Sequence, residues 1–217
     1  MPTVATLTHA VARHSGIPAS RVRSVSRRLQ DAGLLPISMN RNAPEQIDMP
    51  EVVALVVALL TDAPLHSVAA RADEFLAFRL DDDDGRLIAD ELLAKMFTRL
   101  ANLQMAPMDD LAKMTMRSAI SVVSGSRPAL VIRAGNSESD PVEWALTADG
   151  TAWRPELAAA CQKSMSLGGY ALLKIISDLG LGMERRTVPF RVASVDGRPL
   201  ADWKAGVEAE LAKMEAA

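Results

Sequence analysis

Thr8 to Arg27 reads THAVARHSGIPASRVRSVSR, and the order of small, apolar and basic residues within it decides how the head of the chain folds. Ala12 is small enough for a second helix to approach closely. Four residues on, Gly16 stands where the chain must turn, and glycine accepts a positive φ without steric cost. Ile17 then fills the angle between the two helices, and Pro18 suits a helix start, where no amide donor is needed. Val22, Val25 and Leu29 recur at helical spacing and form the buried stripe of the second helix. Gly33 stops it after Arg28-Leu29-Gln30-Asp31-Ala32. The opposite face carries Ser20, Arg21, Arg23, Ser24, Arg27 and Arg28, long donors and small hydroxyls of the kinds that reach base edges and phosphates.

The Ala-x3-Gly-x5-Val spacing at Ala12, Gly16 and Val22 resembles the helix-turn-helix of phage repressors and bacterial transcription regulators, over some 20–30 residues. The resemblance implies a helix around 19–32 in the major groove of duplex DNA, with Ser20, Arg21, Ser24 and Arg27 facing bases. Arg13, Arg23, Arg28 and Arg41 are then the phosphate contacts. His9 and His14 lie five residues apart, on different helix faces, so they are not a metal pair.

The charge distribution agrees with this head. The chain of 217 residues has a formal net charge of -3, which by itself argues against nucleic acid. The charge is segregated, however. Residues 1–45 hold six arginines, no lysine and two acids, while residues 46–110 hold five basic and thirteen acidic residues. Arginine offers a planar fork of donors suited to phosphate and guanine. Aromatic residues make up only 4% of the chain, which argues against single-strand binding by base stacking.

Beyond the head, Leu34-Leu35 should close a small core. Residues 36–46 read either as a loop or as a short basic wing with Arg41 at its tip, flanked by short strands at Leu35–Ser38 and Gln46–Asp48. Asp48, Pro50 and Glu51 mark a helix start, with Asp48 as cap and Glu51 reaching back. The helix that follows, VVALVVALL, is apolar all round and must be buried on most sides. Further helices are expected over Leu65–Leu80 and Leu87–Leu103. Asp81 to Asp84 and Gly85 lie between them. A calcium loop would use Asp82, Asp84, Gly85 and Glu91, but residue 80 is Leu where the first ligand should be, so the run reads as a solvated turn capping the next helix.

From Arg117 the pattern becomes strand-like. SAISVV and ALVIRA read as a hairpin about Ser124–Pro128, PVEWAL as a third strand turning at Asp149-Gly150, and TVPFRVASV as a fourth. Helices are expected over Pro155–Met165, Leu167–Leu179 and Leu200–Met214. The fold class is therefore α+β: an all-α N-terminal domain over 1–48, a helical middle over 49–116, and an antiparallel sheet with helices over 117–217 that oligomerises or senses a ligand.

No phosphate loop, nucleophile elbow, metalloprotease motif or Cys pair is present. The C-terminal half has no histidine, so neither enzymatic activity nor a cofactor or metal is expected. The single Cys161 fits a reducing compartment. The N-terminal stretch carries histidine and arginine where a secretion signal needs an apolar run, and no run is long enough to span a membrane. A cytoplasmic, homodimeric or higher-oligomeric regulator of phage or prophage type, most simply a repressor, is the expectation. A phage small terminase subunit, which also begins with a helix-turn-helix, and an inhibitor of a host defence complex are the alternatives.

Overall fold

The computed structural model describes residues 2–37, 45–82, 85–102, 115, 117–135, 142–151, 153 and 163–181, and among them six helices and two antiparallel sheets follow one another. Arg41, the proposed wing tip, and the segments expected as a fourth strand and a last helix lie outside the described residues.

Helix α1 (Val4–Ser15) is capped by Thr3, and α2 (Ala19–Asp31) follows after a turn in which Gly16 takes φ 73°. α2 ends just before Gly33, whose φ of 77° lies in the region that glycine enters freely. α3 (Met49–Leu60) begins at Asp48, whose backbone N–H donates to Glu51 Oε2 at 2.9 Å, so the start signal in the sequence is realised. The described parts of the flanking segments, Leu35–Ile37 and Gln46–Asp48, are not strands. Ile47 instead donates its backbone N–H to Pro2 O at 3.1 Å and is buried.

α3 is the hub. Val52 through Leu60 are buried without a break, and the helix touches α2, α4 (Val68–Leu76), α5 (Ala89–Asn102) and the larger sheet. Each fully buried aliphatic side chain contributes about 1.5–3 kcal/mol. A helix with no polar face can be stable in water only when enclosed like this.

The middle region departs from expectation. The helix expected over Leu65–Leu80 is confined to Val68–Leu76. Arg79–Asp82 (β1) and Gly85–Ile88 (β2) then form a hairpin, with Leu80 paired to Leu87. Asp81 and Asp82 therefore belong to a strand and not to a helix-capping turn, while Asp83 and Asp84 lie outside the described residues. Aspartate is a poor helix former, and successive like charges disfavour a helix further. Arg79 and Thr147 exchange backbone hydrogen bonds at 2.9 Å, which ties β1 to the end of β5 (Val142–Leu146).

The larger sheet has the order β5-β4-β3-β6, with β3 Ala119–Ser124, β4 Ala129–Ala134 and β6 Lys163–Gly168. Ile120, Val122, Leu130, Ile132, Leu146 and Leu167 point to the core, and Ile120 sits opposite both Ile132 and Leu167. β6 replaces the end of the helix expected up to Met165. Its period-two pattern, with Leu167 buried and Ser164 and Ser166 exposed, suits a strand rather than a helix. α6 (Gly169–Leu179) follows directly and ends at Gly180 in the left-handed region.

One hydrophobic cluster extends from Leu7 in α1 to Leu179 in α6. α1 packs on α2 and α6, and α2 packs on α3 and α4, so the head shares the core of the later elements. Among the described residues no helix is long and apolar enough to cross a membrane.

The turn after β5 carries a pH prediction. Thr147 and Thr151 both donate to Asp149 Oδ1, at 2.9 and 2.8 Å. The side-chain and backbone hydrogen bonds of Thr151, then that of Thr147, hold this carboxyl below its ordinary value of 3.8, at about 2. A depressed folded-state pKa stabilises the fold above the unfolded-state value and loses that contribution as pH falls through the folded-state value. Between about pH 4 and pH 2, wild type is expected to lose stability more steeply than Asp149→Asn, as urea midpoints at each pH would show. Parallel midpoint curves would refute the assignment.

Candidate nucleic-acid interface

α2 has two unlike faces because about 3.6 residues complete each turn. Val22, Val25, Ser26 and Leu29 are buried against the neighbouring helices. Ser20, Arg23, Ser24, Arg27 and Arg28 emerge together on the other side, all exposed, with Asp31 as the only acid among them. The first turn has Pro18 as its cap residue and no side-chain cap bond. Its backbone donors and the positive end of the helix dipole are therefore open to an anion.

The arginines are not equivalent. Arg27 has no hydrogen bond or ion pair among the described residues. Arg23, among the same residues, donates only to Ala19 O of its own helix, at 3.2 Å. Arg28 lies 3.5 Å from Asp31 one turn later, an exposed pair of little energetic weight. Arg27 and Arg28 also line, with Ser24, Asp31 and Leu65, a recess of about 400 Å³ beside the helix.

Arg21 is turned the other way. Its guanidinium donates to Ala63 O at 2.5 Å and stands 3.9 Å from Asp62 in the turn after α3. Asp62 takes φ 46°, an uncommon backbone state for a non-glycine residue, and also binds Lys163 of β6. Arg21 thus fastens α2 to the rest of the fold. Arg21→Ala is expected to lower the unfolding free energy by about 1–2 kcal/mol, a charged hydrogen bond discounted for partial exposure. Chemical denaturation checks this, and an unchanged midpoint would remove the anchoring role.

Arg13 closes α1 on the same side as His14. His14 Nε2 donates to Asp178 Oδ2 at 2.8 Å, and Arg13 lies 3.5 Å from the same oxygen. The His14 hydrogen bond is the main cause holding the Asp178 carboxyl below its ordinary value. α1 is thereby clasped to α6, 164 residues away in sequence. Sequence reasoning missed both the Asp178 clasp and the Asp62 anchor. No local pattern marks either, since each partner is distant along the chain.

Of the eight candidate residues, Ser20, Arg23, Ser24, Arg27 and Arg28 form one exposed face. Arg21 and Arg13 are engaged by carboxylates, and Arg41 is outside the described residues. Among the described residues no cluster of His, Cys, Asp or Glu could hold a metal ion. No family model matches the chain, and neither a curated protein nor a solved structure shows significant similarity to it.

Proposed function

We propose that the chain is a cytoplasmic, sequence-specific regulator that binds duplex DNA as a homo-oligomer and presents α2 to the major groove. The observation that carries this reading is the exposed face of Ser20, Arg23, Ser24, Arg27 and Arg28, in which Arg27 has no partner among the described residues. A stabilising surface helix would offset such cations with acids at helical spacing, and here only Asp31 does so. Arg23 and Arg27 sit one turn apart, and their guanidinium groups suit guanine edges or phosphates. Two copies would read half-sites about one helical turn apart.

Selection from a pool of random duplexes tests this directly. Repeated binding and amplification should enrich one motif containing an inverted repeat. Affinity for that motif should fall steeply with salt, because bound phosphates release counterions. No retention of duplex at low salt, or a pool that remains random, would overturn the reading. Enrichment accompanied by a ring of eight or more subunits in light scattering would favour DNA packaging over regulation.

A further inference from the structure

The flank of α2 beside its arginine face forms a groove with α1, of about 680 Å³. That is within the roughly 300–1,000 Å³ usual for small-molecule sites. Its walls are short and apolar: Val4, Ala5 and Ala12 from α1, Ala19 from α2, and Pro36. Two buried hydroxyls, of Thr8 and Ser26, lie at its floor. Thr8 Oγ1 is 2.7 Å from Val4 O and 3.4 Å from Ser26 Oγ. A hydroxyl has one hydrogen, and the shorter bond takes it. The longer contact lies beyond the roughly 2.5–3.0 Å of a good O–H···O bond. Ser26 is only 3% exposed, and its hydroxyl has no other hydrogen bond among the described residues. The 3.4 Å contact is therefore made by the Ser26 hydroxyl donating to Thr8 Oγ1, a long bond that the hydroxyl would exchange for a shorter one to an acceptor bound in the groove. Arg23 stands at the exposed mouth of the same groove, with His9 nearby and Glu45 also on the lining.

We propose that this groove binds a small, largely apolar organic anion, with its acidic group on Arg23 and an acceptor atom on the Ser26 hydroxyl. Arg23 belongs to both surfaces. The regulatory half of this inference rests on the duplex-binding reading above: an occupied groove draws Arg23 away from DNA, so the ligand acts as an inducer.

The probe is 8-anilinonaphthalene-1-sulfonate, an apolar sulfonate, titrated into the full chain without DNA. Saturable fluorescence with one probe per chain is expected. Ala5→Trp and Ala19→Phe place bulk in the groove at exposed helix positions, and each should weaken binding at least tenfold. Arg23→Ala should weaken it about fivefold, with Arg23→Lys recovering part of the loss. Absence of saturable binding, or binding indifferent to all of these changes in chains that keep their helical circular dichroism, overturns the site. A second titration adds the probe to a protein–duplex complex, where a several-fold loss of duplex affinity is expected. If the probe binds as expected and duplex affinity does not move, the inducer role falls and the groove stands. If no duplex binds at all, the DNA reading falls while the groove is judged on the first titration alone.

Discussion

Arg23→Ala combined with Arg27→Ala is expected to weaken binding to the selected duplex about 100-fold. Each arginine that touches a base edge or phosphate contributes roughly 1–3 kcal/mol of binding free energy. Removing an arginine from a phosphate should also lower the slope of log affinity against log salt by about 1. The proper control removes the same charge elsewhere. Arg99 and Arg133 are exposed on α5 and β4, so Arg99→Ala combined with Arg133→Ala should bind within a few-fold of wild type. Fluorescence anisotropy across a salt series distinguishes the outcomes. If the two double variants lose affinity equally and share one salt slope, the effect is net charge and α2 is not the reading surface. Arg21 enters differently, since its guanidinium is engaged by Ala63 O. Arg21→Ala should lower stability while leaving the salt slope of the remaining folded protein unchanged.

Gly169→Ala is expected to be the most damaging of the small substitutions. A Cβ at this position would stand 2.4 Å from Thr115 O and 2.7 Å from Ser118 Cβ. The Gly169 N–H also donates to Ser118 O at 2.7 Å, which holds the two segments at that spacing. The Thr115 obstacle is backbone, so it cannot swing aside as the end of a long side chain could. Overpacking of this severity costs about 3 kcal/mol or more, a large share of the roughly 5–15 kcal/mol that keeps a domain folded. The melting temperature should fall by roughly 6–12 °C. The neighbouring Gly168 meets nothing within 4 Å and has φ -75°, so Gly168→Ala should be nearly silent. Equal melting temperatures for the two variants would mean that the approach of α6 to the segment before β3 is not tight.

The head of the chain was the most legible part. Gly16 takes the left-handed turn after α1 and Val22 is buried in α2, and the Asp48–Glu51 start of α3 was equally plain. Glycine at a positive φ and a capping carboxylate are local requirements, satisfied within a few residues of chain. The hairpin at Arg79–Ile88 was not legible, because Leu80 continues a helix stripe from Leu76 and Ile88 begins another with Leu92. What separates the two is the bridge from Arg79 to Thr147, between segments far apart along the chain. Lys163–Met165 failed in the same way, since β6 exists only because β3 is there to pair with it.

Sequence alone therefore determined the buried stripe of Val22, Val25 and Leu29 and the exposure of Ser20, Arg23, Ser24, Arg27 and Arg28, because helical periodicity is a property of the chain itself. It also determined that α3 needs companions on every side, since a helix without a polar face has no other way to leave water. The tertiary structure decided which arginines have work inside the fold. Arg21 meets Ala63 and Asp62, Arg13 meets Asp178, and Arg27 meets nothing among the described residues. That sorting rests on where distant carboxylates and carbonyls arrive in space, and on geometry that no local spacing encodes.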